Sequence, residues 1–165
     1  MQDTSKFNIK NPIHFLALGF GSGLLKPAPG TWGTLMAIPI YYFVAISLHL
    51  SLDAYLSVVV ILFVLGIYIC GKAASDVGEH DHSAIVWDEI VGFLITMLAV
   101  SPTLINIVIG FILFRAFDII KPWPIRTIDR SVSGGFGIMV DDVIAGFAAC
   151  AVMHLSQDII STAFA

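Results

Sequence analysis

Apolar residues gather into five long runs, at 32–50, 54–74, 84–100, 103–120 and 138–155, separated by short clusters rich in glycine, proline and acids. A helix needs about 20 apolar residues to cross the ~30 Å hydrocarbon core of a bilayer, and runs of 17 or 18 residues reach about 26 Å. The pattern therefore predicts an all-α polytopic membrane bundle of about five transmembrane helices. Ser51-Leu52-Asp53 makes the first two runs a helical hairpin. Thr31 is the expected N-cap of the first helix and Ser83 that of the third. Ser101-Pro102 ends the third helix, because proline lacks the amide donor and disfavours helix in the residue before it. Lys121-Pro122-Trp123-Pro124 closes the fourth, and Gly134-Gly135-Phe136-Gly137 opens the fifth. Residues 1–31 form an interfacial entry segment and a Gly/Pro loop, where repeated glycine and proline forbid continuous helix. With 32–165 as the bundle, and with no internal repeat, the chain is one domain.

Composition strengthens this picture. Of the 165 residues 58% are hydrophobic and only 12% charged, against roughly 25% charged in a soluble domain. The mean hydropathy is +0.92. A net charge of −4 without a basic patch excludes nucleic-acid binding. Cys70 and Cys150 lie in apolar runs without metal or redox spacing and read as small buried hydrophobes. The first residues lack the basic and then apolar pattern of a cleaved leader. Charge also decides between four spans and five. With a turn at Ser101-Pro102, all eight basic residues fall at or near one face, which the positive-inside rule makes cytoplasmic.

That same face collects the chemistry. Residues 76–89 hold five of the twelve acids and two imidazoles within fourteen positions. Asp88 and Glu89 fall in the second turn of the predicted third helix, Asp118 near the end of the fourth, and Asp141-Asp142 in the first turn of the fifth. Ionisable groups at the membrane level of a helix mark a site or a paired network, although acids at a helix N-terminus also serve as capping charges. Carboxylates without soft ligands suit Mg²⁺ or Mn²⁺. Arg115, Lys121, Arg126 and Arg130 are either phosphate contacts or topology anchors, and the glycines at 134–137 place free helix amides where an anion would sit. His80 is either an acid/base group or a plain loop histidine. Gly21-Ser22-Gly23 is not a P-loop, since no Lys-Ser/Thr follows.

Four stretches have a familiar form: Gly-Phe-Gly-Ser-Gly with Pro-Gly-Thr-Trp-Gly-Thr, the 76–92 run through Val-Trp-Asp-Glu-Ile-Val-Gly, Arg-Ala-Phe-Asp-Ile-Ile-Lys-Pro-Trp-Pro-Ile-Arg, and Asp-Arg-Ser-Val-Ser-Gly-Gly-Phe-Gly-Ile-Met-Val-Asp-Asp-Val-Ile-Ala-Gly. Together, over 19–146, they resemble the bacterial phosphatidylglycerophosphatase A family. The resemblance implies a Mg²⁺-dependent phosphatase of the bacterial cytoplasmic membrane that converts phosphatidylglycerophosphate to phosphatidylglycerol in phospholipid biosynthesis. It matches at Asp76, His80, Asp81, Asp88, Glu89, Asp118, Lys121, Asp129, Asp141 and Asp142.

On this reading Asp88, Glu89, Asp141 and Asp142 hold one or two Mg²⁺, with Asp118 a further ligand or orienter. Arg115, Lys121, Arg126 and the amides of Gly135 and Gly137 bind phosphate. Asp76, His80 or Asp81 acts on water or on the leaving glycerol oxygen. Direct hydrolysis and an aspartyl-phosphate both remain open. The signatures of CDP-alcohol phosphotransferases and PAP2-type phosphatases are absent. The alternative is a small multi-pass cation transporter, which would place its acids near mid-span on broken or repeated helices. Within 76–89, Glu79 and His82 are the members with least claim to a role.

Overall fold

The computed structural model describes residues 3–48, 50–79, 82–123, 125, 127 and 132–163. Among these are six α-helices: α1 (Pro12–Ala17), α2 (Pro29–Tyr42), α3 (Leu52–Val77), α4 (Trp87–Thr96), α5 (Leu104–Ile120) and α6 (Gly134–Ala163). No strand occurs among the described residues. α6 is the hub, packing on α3, α4 and α5, while α2 packs on α4 and α1 on α3.

Several boundaries follow from caps. Asn11 accepts from the Ile13 amide with Pro12 in the first turn of α1. Ser51 accepts from the Ala54 amide at the start of α3, and Gly78, at φ 73°, ends that helix in the left-handed conformation. Thr103 accepts from the Asn106 amide at the start of α5.

Other boundaries correct the expectation. α2 begins at Pro29 behind Ala28, so Thr31 lies inside it rather than capping it, and a π-helical turn, Phe43–Ser47, follows. α3 extends through Val77, which puts Asp76 on its last turn instead of in a loop. α6 starts four residues earlier than expected.

The largest difference is α4. A helix from 84 to 100 was expected, but α4 has 10 residues, or about 15 Å, half a hydrocarbon core. At its start, the Ile85 amide donates to His82 O at 2.8 Å and the Val86 amide to Ala17 O at 2.9 Å, which holds these residues out of the helix. At its end, Ala99 turns at φ 55°. Side chains from neighbouring helices take up the carbonyls of this buried terminus: Tyr55 donates to Leu94 O, Tyr41 to Val100 O and His154 to Leu98 O, at 2.7, 2.9 and 2.9 Å. A helix end buried inside protein is tolerated only when its carbonyls are paired in this way.

Two helices, Leu52–Val77 and Gly134–Ser156, are long and apolar enough to cross a membrane. α3 turns Val60, Ile61, Val64 and Tyr68 outward, whereas every residue of α4 outside Asp88 and Glu89 is buried. The core therefore lies around α4. It is closed where α4 crosses α6 at Gly92 and Gly146: a Cβ at Gly146 would come within 2.5 Å of Gly92 O, and one at Gly92 within 2.8 Å of Asp142 O. Only glycine permits this approach, and it sets the acid-bearing turns of α4 and α6 side by side.

Candidate functional site

Four helix ends meet around a cavity of about 390 Å³. α2 contributes Gly30 from its first turn, and α4 contributes Asp88 and Glu89 from its own first turn, one turn earlier than expected. The last two turns of α5 contribute Arg115 and Asp118, and α6 contributes Gly137, Asp141 and Asp142. Lys121 caps α5 with φ 44°. A non-glycine residue adopts this left-handed conformation at a cost of about 1–2 kcal/mol, and here it carries an ammonium that donates to Asp141 Oδ2 at 2.5 Å.

The earlier start of α6 bears on what Asp141 and Asp142 do. They lie in its third turn, and no acid lies in its first. Capping of the helix dipole fades beyond the first turn, so it does not explain two buried acids here, 6% and 3% exposed.

Ligand atoms of Asp88, Glu89 and Asp142 lie within 4.8 Å of one another, and so do those of Asp118, Asp141 and Asp142. Asp142 belongs to both groups. Two ionised carboxylates at that separation repel by roughly 3 kcal/mol at an effective dielectric constant of 20. Five carboxylates face two cations among the described lining residues, an excess of negative charge when all five are ionised. Asp88 Oδ1, Glu89 Oε2 and Asp142 Oδ2 are buried without a hydrogen-bond partner. Buried orphan acceptors are rare and call for a partner, and three carboxylates with ligand atoms this close suit a hard divalent cation. The residues fit Mg²⁺.

Arg115 Nη1 stands 2.5 Å from Asp118 Oδ2 and 3.8 Å from Glu89 Oε1. The Asp118 contact engages Nη1 in an ion pair, and Nε is buried without a hydrogen-bond partner.

Of the residues expected from sequence, Asp88, Glu89, Asp118, Asp141, Asp142, Arg115, Lys121 and Gly137 share this one cavity. Asp76 does not line it. Lys72, one turn back on α3, holds its carboxylate, and His14 Nε2 lies 3.3 Å from it. Gly135 does not line it either: it sits where α6 touches α3, with Ile67 O and the Gly71 amide against its Cα. His80, Asp81, Arg126, Asp129 and Arg130 lie outside the described residues.

Two contributors went unassigned in the sequence. Gly30 forms the α2 wall, and its only signal was its place in Pro-Gly-Thr-Trp-Gly-Thr. His82, given least weight, is 1% exposed. Its Nδ1 accepts from the Ala84 amide at 3.1 Å and its ring packs edge-on to Phe7. It thereby fixes the loop that feeds α4. His82→Ala leaves the buried Ala84 amide unpaired and is expected to destabilise the fold by about 1–3 kcal/mol. His82→Asn, with an acceptor near the same place, should recover most of that loss in thermal unfolding. Equal damage from both variants would show that this bond is not what matters.

The phosphatidylglycerophosphatase A family model matches residues 15–157. Phosphatidylglycerophosphatase A of Escherichia coli K12 is 44% identical over 91% of this chain and 86% of its own length. The Haemophilus influenzae Rd protein of the same name is 49% identical over 92% and 93%. No solved structure matches the chain. A match of this extent, over a cavity that joins a carboxylate cluster to two cations, places the chain in the phosphatidylglycerophosphatase A family of phosphatases.

Proposed function

We propose that this protein hydrolyses the terminal phosphomonoester of phosphatidylglycerophosphate in a Mg²⁺-dependent reaction, yielding phosphatidylglycerol and phosphate. The observation that carries the reading is that three carboxylates with orphaned oxygens and the Arg115 guanidinium line one cavity. Asp88, Glu89 and Asp142 would hold the ion, which when bound spreads the negative charge that develops on the phosphoryl oxygens. Arg115 donates to the phosphate while its Nη1 stays on Asp118, a charge-assisted contact stronger than a neutral one. Lys121 adds positive charge beside Asp141, and the first turn of α6 presents Gly137 where a helix N-terminus favours an anion. Asp118, held by Arg115, fixes the guanidinium and orients the attacking water.

We place the cavity at headgroup level on the cytoplasmic face of the bacterial inner membrane. α2, α4 and α6 begin at the cavity end and α5 ends there, and the outward apolar faces meet lipid. The substrate keeps its acyl chains in the bilayer while its phosphate reaches the helix ends. Five chain passages fit this arrangement, with α4 as a short buried one. Nothing supports the transporter alternative, because the acids gather at one end of the bundle and not at mid-span.

The test is release of phosphate from phosphatidylglycerophosphate in detergent micelles by purified protein, with Mg²⁺ or with excess chelator. Release is expected only with Mg²⁺, and phosphatidic acid serves as the comparison substrate. A folded preparation that releases none, or releases it equally under chelation, sinks the proposal.

A further inference from the structure

Two triads of carboxylates share Asp142, so the acids alone would suit two ions. The polar atoms around them separate the triads. Two of the three carboxylate oxygens left without a partner, Asp88 Oδ1 and Glu89 Oε2, belong to the α4-side triad alone, and the third, Asp142 Oδ2, to the residue that both share. In the α5-side triad, Asp118 Oδ2 stands 2.5 Å from the Arg115 guanidinium and Asp141 Oδ2 2.5 Å from the Lys121 ammonium. Asp142 is 3% exposed, so its orphaned oxygen is closed to bulk water.

We infer that the site takes a single divalent ion, held by Asp88, Glu89 and Asp142, and that Lys121 and Arg115 supply the positive charge where a second ion would otherwise sit. The inference rests on the metal-dependent reading above and deepens it by fixing the count and the ligands. Ammonium and guanidinium groups carry donors only and cannot ligate a metal. A second ion about 3.5–4 Å from the first, the separation of two-metal sites, would have to displace them or stand beside them at like charge. Three carboxylates and bound water or substrate oxygens suffice for one octahedral Mg²⁺. Asp141, expected from sequence to be a ligand, becomes instead the anchor of Lys121, and Asp118 that of Arg115.

The test is equilibrium binding of Mn²⁺ to the full chain in detergent, read by the electron paramagnetic resonance signal of the free ion. One Mn²⁺ per chain is expected. Asp88→Asn, which removes a ligand, should weaken it at least about a hundredfold, whereas Asp118→Asn, which alters only what surrounds the ligands, should weaken it by about tenfold or less. Lys121→Met should admit a second, weaker ion. Two comparable ions in the unaltered protein, an Asp118→Asn variant as damaged as Asp88→Asn, or no second ion in Lys121→Met overturns the inference. Absence of any bound Mn²⁺, together with chelator-insensitive phosphate release, would instead overturn the metal-dependent reading itself.

Discussion

Asp142→Asn is expected to lower kcat/KM for phosphatidylglycerophosphate by about 1,000-fold or more, while the protein still folds and inserts. Asp142 is the one carboxylate common to both triads, buried at 3% exposure and with an orphaned oxygen. Charge stabilisation by a bound ion contributes several kcal/mol to phosphoryl transfer, and each 1.36 kcal/mol is a factor of ten in rate. Asparagine keeps the shape and removes one charge from a cluster of five acids. Without metal, the variant should therefore melt at the same temperature as the unaltered protein or above it. Binding of an ion to the folded state alone raises stability as its concentration exceeds Kd. The unaltered protein should gain melting temperature with added Mg²⁺ and Asp142→Asn should gain none. A variant that retains near-normal turnover and the Mg²⁺ shift would remove Asp142 from the site.

The sequence made α3 and α5 legible because each is a long apolar run with a polar break before it, although the Gly78 stop of α3 went unread. It misled at α4 because hydropathy reports that a run is apolar and not what surrounds it. The run 84–100 is apolar on all sides because protein packs around it, and that signal is the same for a half-length buried helix as for a lipid-facing span. The carbonyls of Leu94, Leu98 and Val100 that allow the early stop are paired by side chains from distant parts of the chain, which no local pattern records. At α6 the glycines of 134–137, expected to lead into a helix from 138, lie within it, and α3 lies so close that Gly135 has no room for a Cβ.

The site itself was more legible than its roles. Carboxylates in an apolar chain are costly enough that their positions point to a site, and those at 88, 89, 118, 141 and 142 share one cavity. Asp76, Glu79 and His82 show where that logic stops, because polar groups this dense also serve local order. Lys6 pairs with Glu79 at 3.0 Å, Lys72 and His14 hold Asp76, and His82 holds the Ala84 amide. Lys72 is a local partner, but Lys6 and His14 lie more than 60 positions from the acids they meet, and only the fold supplies them.

Gly30→Ala is expected to reduce kcat/KM by about 100-fold without loss of stability. A Cβ at this position would lie 2.2 Å from Glu89 Oε1 and 3.0 and 3.1 Å from the two terminal nitrogens of Arg115. The backbone of Glu89 is fixed in the first turn of α4, which the Gly92–Gly146 crossing holds against α6. The carboxylate is therefore what moves, by about 1 Å, and a misplacement of that size costs about 100-fold when it displaces a catalytic constellation. Folding has no comparable objection. Gly30 lies in a helix, outside the left-handed region, where alanine is favoured over glycine by up to about 1 kcal/mol, and the clash is with the mobile ends of two side chains. Melting temperature should stay level or rise, and Mn²⁺ affinity should fall together with turnover. A drop in melting temperature with Mn²⁺ affinity unchanged would mean that Gly30 serves packing alone, whereas normal turnover in the alanine variant would mean that the wall of α2 does not reach Glu89.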